Sequence, residues 1–100
     1  MRASDPLEEW VDESIRMALK KRYNPSIFIR MRQDYGTVPA MERLMHSSQI
    51  QSGLRRLKKE GLAEEWSVEA GILKFPKRFT AAAREAARWR LDNIDQMELR

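Results

Sequence analysis

The chain predicts an all-α fold, a single compact domain spanning residues 1–100 and built from five to six short helices. Three observations carry that expectation. Apolar residues recur at helical spacing through most of the sequence. Capping residues open these stripes, and Gly36 and Gly61 close two of them. A chain of 100 residues has interior for one core only.

The first helix starts with Asp5 or Ser4 as N-cap, Pro6 at the first helical position and acids in the first turn. Leu7, Val11, Ile15, Ala18 and Leu19 form its inward stripe. Lys20, Lys21 and Arg22 end it, where cations suit the helix dipole. Asn24-Pro25 breaks the chain, and a second helix carries Ile27, Phe28, Met31 and Tyr35 up to Gly36. Thr37 caps a third helix bearing Val38, Met41, Leu44 and Met45.

A fourth helix runs from about Gln49 to Glu60. Ser48 followed three residues later by Gln51 is a capping-box pattern, and Ile50, Leu54 and Leu57 share one stripe. Gln51, Ser52, Arg55, Lys58 and Lys59 lie opposite that stripe, and Gly61 closes the helix. The third and fourth helices together give the outline of a helix-turn-helix pair.

Two readings remain for the next segment. Residues 62–75 form the short hairpin of a winged helix, with Leu62–Trp66 and Ile72–Phe75 as strands around Ala70-Gly71. Alternatively, Ser67 caps a short helix from Val68 to about Leu73, which Phe75-Pro76 ends. Thr80 then caps a last helix with Ala83, Ala87, Leu91 and Ile94 on one stripe, where repeated alanine implies close packing. The expected core also takes in Val68, Ile72 and Phe79.

Charge is distributed unevenly about a net +4. Residues 1–15 carry −4, residues 16–36 carry +5 and residues 37–60 carry +3. Two consecutive basic segments flanked by acidic ones suit a cationic face that attracts phosphate or acidic proteins. The acidic start is unlike a signal peptide, and no apolar run approaches the roughly 18 residues that span a bilayer. The expectation is a soluble, cytoplasmic protein without membrane contact.

The residue inventory argues against an enzyme. His46 is the only histidine, and with no cysteine there is no thiol nucleophile or Cys-ligated metal. The four glycines are scattered, so no phosphate-cradling loop is present. Neither a cofactor nor a metal is expected. Nucleic-acid chemistry has more material: Arg forks onto guanine, Gln onto adenine, and Lys contacts phosphate. The candidate nucleic-acid-binding residues are Gln49, Gln51, Ser52, Arg55, Arg56, Lys58 and Lys59, with Arg30 and Arg32 adding backbone contacts. Trp89, between Arg88 and Arg90, is the candidate anchor for a protein partner or a homodimer, since Trp and Arg dominate interface hot spots.

From Tyr23 onward the chain resembles a small bacterial helical domain that occurs alone or at the end of longer proteins. The residues that carry the likeness are Asn24-Pro25, the Phe28-Ile29-Arg30-Met31 stretch, Tyr35-Gly36, Ser52-Gly53-Leu54, Gly61-Leu62, Ser67-Val68-Glu69-Ala70, Phe79-Thr80 and Ala86-Ala87-Arg88. The resemblance implies that the stretch from Ser67 to Leu73 is helical, and it implies no activity. Lys58-Lys59-Glu60 and Glu64-Glu65 stand at positions that are less charged in that domain. A looser likeness to winged-helix regulators rests on residues 53–62, while the turn at His46-Ser47-Ser48 is shorter than theirs. The expected function is therefore a basic nucleic-acid-binding protein, on duplex DNA, acting as a regulator. The alternative is a non-catalytic interaction or inhibitor subunit from a mobile-element or phage-defence context, meeting an acidic protein partner.

Overall fold

The computed structural model describes residues 5–46 and 50–94, with the side chains of residues 50–52 excepted. Seven α-helices and a 3-10 turn occupy these residues, and no strand occurs among them. They are α1 (Pro6–Lys20), α2 (Ser26–Tyr35), α3 (Thr37–Leu44), α4 (Ile50–Lys59), α5 (Ala63–Trp66), α6 (Val68–Lys74) and α7 (Ala81–Asp92); the 3-10 turn is Pro76–Arg78. The all-α expectation holds. The hairpin alternative fails, because residues 62–75 are helical. The helix count exceeds five or six because Ala63–Trp66 makes a separate turn ahead of Ser67.

Local chemistry explains most boundaries. The Asp5 carboxylate accepts from Leu7 N–H at 2.9 Å and Pro6 needs no partner for its nitrogen, so α1 starts there. The Ser67 hydroxyl accepts from Ala70 N–H at 3.0 Å and starts α6. The Thr80 hydroxyl accepts from Ala83 N–H at 3.2 Å and starts α7. Gly61, at φ +78°, ends α4 with paired bonds from Leu62 N–H to Leu57 C=O and from Gly61 N–H to Lys58 C=O. Thr37 departs from its expected role. It is the first residue of α3 and not its cap, and its hydroxyl donates to Glu8 at 2.6 Å while accepting from Arg32 at 2.9 Å. The expected cap at Ser48 lies outside the described residues.

Two apolar clusters hold the helices. The larger gathers Leu7, Trp10, Val11, Phe28, Met41, Leu44, Ile72, Phe79 and Ala87, with Ile15, Met31 and Val68 partly buried against it. The smaller joins Leu54, Ala63 and Ile94, with Leu57 and Leu91 beside them. Buried alanines at 83 and 87 let α7 lie close on α6, and these two form the most extensive helix pairing, followed by α2 with α3. The main packing of α4 is onto α5, so the two helices read as a helix-turn-helix pair each find their principal partner elsewhere. The burial of Ile50 lies outside the described side chains.

Three expected inward residues point outward: Leu19, Ile27 and Tyr35 are each about half exposed. The buried face of α1 runs through Leu7, Val11, Ser14 and Ala18, which leaves Leu19 a quarter-turn away from it. Phe28 takes the inward place in the first turn of α2. Tyr35 instead lies under the Arg43 guanidinium, 4.1 Å from its centroid.

Trp10 fills the centre. Its ring stacks on Trp66 at 5.7 Å and meets Phe75 edge-on at 6.4 Å. A Cβ added to Gly71 would collide with the Trp10 ring, falling within 2.7 Å of two of its carbons, and would lie 3.0 Å from the Met41 methyl. Gly71→Ala is therefore expected to destabilise by roughly 1–3 kcal/mol through overpacking. That outweighs the roughly 1 kcal/mol an unhindered helical glycine would gain from the same change. Denaturant melts check this, and a stabilised variant would show that Trp10 does not occupy that space.

Candidate functional site

The cations expected on the fourth helix do share a surface. Arg55, Arg56, Lys58 and Lys59 lie side by side on one open face of α4. Gln49 lies outside the described residues, as do the side chains of Gln51 and Ser52. Arg56 ties the surface to the rest of the fold. Its Nε donates to Glu60 at 3.1 Å, its Nη2 donates to the Lys21 carbonyl at 3.2 Å, and its guanidinium lies 5.7 Å from the Tyr23 ring centroid.

Those contacts bring a second basic run against α4. Lys20, Lys21 and Arg22 are exposed where α1 ends. The chain turns out of α1 with Tyr23 N–H bonded to Ala18 C=O and Arg22 N–H bonded to Leu19 C=O. Arg22 takes φ +60° in this turn, among described residues the one non-glycine with a positive φ. Glycine is the residue that adopts that backbone without steric cost, so an arginine there puts a cation where the fold alone would favour none. Tyr23 then reaches α4 at Gly53, where an added Cβ would lie 2.8 Å from its hydroxyl. Residues 20–23 and 55–60 together hold seven cations and one acid, Glu60. The sequence signal for Lys20–Arg22 was the charge run itself, but its proximity to α4 is a tertiary fact.

Two arginines assigned to binding are instead engaged inside the fold. Arg32 donates to Glu8 at 2.6 Å, to Asp12 at 2.8 Å and to Thr37 at 2.9 Å, clasping α2 to α1 and α3. Arg30 is exposed on α2, a helix whose main packing is with α3. Arg90 has a side chain only 11% exposed; it donates to the Leu44 and Met45 carbonyls at 3.1 and 2.7 Å and satisfies the end of α3. Trp89 and Arg88 do face outward, Trp89 at 58% exposure, beside a cleft floored by Leu73 and Pro76.

Behind the basic surface lies a buried acid that nothing in its sequence neighbourhood marks. Glu69 is 1% exposed, and neither of its carboxylate oxygens has a hydrogen-bond partner among the described residues. Arg90 stands 3.6 Å away, a distance for ion pairing and too long for a hydrogen bond. Glu69 borders a cavity of about 50 Å³ shared with Ser14, Tyr23, Phe28, Leu54 and Trp66. Burial pushes the Glu69 carboxyl above its ordinary value of 4.5, and Arg90 offsets part of that rise. Burial likewise pushes the Tyr23 phenol up.

Among the described residues no group of three or more His, Asp or Glu is placed to hold a metal ion, and no helix is long and apolar enough to cross a membrane. Comparison with protein-family models, with curated proteins and with solved structures finds no match.

The Glu69 environment sets a pH dependence. A carboxyl whose folded pKa is raised binds its proton more tightly when folded, so the stability it contributes is full below 4.5 and falls as pH rises through its folded pKa. Glu69→Gln removes that titration. Urea melts at pH 4.5 and at successively higher pH should show the variant gaining on the wild type as pH rises. A stability difference that stays constant would mean Glu69 titrates alike in both states.

Proposed function

We propose that the protein binds nucleic acid, duplex DNA in the first instance, on the surface formed by Lys20, Lys21, Arg22, Arg55, Lys58 and Lys59. The observation that supports this most is the Arg56–Lys21 contact at 3.2 Å, which joins two cationic runs far apart in sequence. Phosphates drawn to such a surface release counterions, so affinity falls with salt by about 0.9 log unit per log unit for each contact. Arg56, braced by Glu60 and the Lys21 carbonyl, holds the surface together. Binding through backbone phosphates positions a duplex without choosing its sequence. A regulatory role would need base contacts from residues near the start of α4.

A second reading, a non-catalytic interaction or inhibitor subunit, draws on one observation: Trp89 is exposed beside Arg88 on α7.

Arg22→Gly separates fold from function. Glycine suits φ +60°, so the variant should melt no lower than the wild type and yet lose a phosphate contact. In mobility shifts with mixed-sequence duplex at about 50 and 200 mM salt, the wild type should bind at the lower concentration and fade at the higher. Arg22→Gly and Lys59→Ala should each bind more weakly and flatten the salt slope by about 0.9. No shift at the lower salt, with a dimer or bound protein in solution, would favour the Trp89 reading instead.

A further inference from the structure

The cavity behind Tyr23 has the make-up of a ligand site. Its volume of about 50 Å³, a third of the roughly 150 Å³ that accepts a benzene ring, takes only the polar head of a small ligand. Leu54, Phe28 and Trp66 supply apolar wall. Three polar side chains border it with complementary capacities. Glu69 offers acceptor oxygens with no hydrogen-bond partner among the described residues. The Ser14 hydroxyl donates to the Val11 carbonyl at 2.7 Å, which leaves its lone pairs to accept. The Tyr23 phenol is a donor, and its hydroxyl has space because residue 53 lacks a side chain.

Buried acceptors without partners are costly and are ordinarily filled. The charge of the occupant follows from Arg90, whose guanidinium 3.6 Å from Glu69 already balances a carboxylate. A cation would add an uncompensated charge to a desolvated site, and an anion would face Glu69 directly. A neutral group with two N–H donors and one carbonyl acceptor matches the lining. It also suits either protonation form of Glu69, since a carboxylic acid pairs with an amide as readily as a carboxylate accepts from one.

We propose that this cavity binds a small primary carboxamide, its two N–H groups directed to Glu69 and Ser14 and its carbonyl to the Tyr23 hydroxyl. The group comes from a free small amide or from the side-chain amide of a Gln residue on a partner. The site stands apart from the DNA reading and does not depend on it.

The test is a two-dimensional NMR titration of the wild-type chain with acetamide, with N,N-dimethylacetamide, which has no N–H, and with N-acetylglutamine methylamide. Acetamide should shift the signals of Gly53, Leu54 and the Trp66 indole saturably, and dimethylacetamide should not. Tighter binding of acetamide than of the glutamine derivative identifies a free ligand, and the reverse order identifies a partner's side chain. Glu69→Ala, with its fold checked by circular dichroism, should lose the response. Equal shifts with both acetamides, shifts that never saturate, or an ordered water on Glu69 that acetamide does not displace would each overturn the proposal.

Discussion

The seating of Trp10 on Gly71 is the constraint on which the rest of the structure depends. An indole can lie against a helix this closely only where that helix has no Cβ, and α6 supplies the gap at one residue. Once Trp10 is there, Trp66 and Phe75 close around it, and the direction of α1 across α5 and α6 is set. Burying an aromatic ring of this size contributes several kcal/mol, which is of the order of the net stability of a small domain. The Arg32 clasp to Glu8, Asp12 and Thr37 adds direction more than energy, because partly exposed ion pairs are individually weak.

The course of α1 then determines both features of the candidate site. Ser14 and Ala18, on its buried face, become one wall of the cavity. Its last turn releases Lys20–Arg22 beside α4, and Tyr23 follows into the space left by Gly53. Two glycines therefore make room for aromatic side chains of this segment, Gly71 for the Trp10 ring and Gly53 for the Tyr23 hydroxyl. Gathering like charges at this junction opposes folding, and the Arg56 bonds to Glu60 and to the Lys21 carbonyl offset part of that repulsion. The left-handed backbone at Arg22 is a second local cost at the same place.

Much of this fold is legible in the sequence where the determining chemistry is local. Asp5-Pro6, Ser67, Thr80 and Gly61 mark helix ends because a cap acts within three or four residues of itself. The stripe of Ala83 and Ala87 announces close packing for the same reason. What is not legible depends on partners distant in sequence. A cation on a helix looks alike whether it faces water or a carboxylate from another helix, so Arg32 and Arg90 read as surface residues although each is engaged inside the fold. Gly71 reads equally well as a turn, because its reason for being glycine is a ring 61 positions earlier. Glu69 reads as a first-turn acid suited to the helix dipole, and only the packing of α6 on α7 reveals it as buried. Of the candidate site, both basic runs are legible in the sequence, while the contact of Lys20–Arg22 with α4 and the cavity are not.

Fixed by Trp10, α1 delivers Tyr23 to α4. Through-space proton NMR contacts in the wild-type protein test this most directly. Cross-peaks should link the Trp10 ring to the Gly71 α-protons and the Tyr23 ring to the α-protons of Gly53, since the Trp10 ring lies against Gly71 and the Tyr23 hydroxyl end lies against Gly53. A Trp10–Gly71 cross-peak without one from Tyr23 to Gly53 would leave the core standing and contradict the joined basic surface and its cavity.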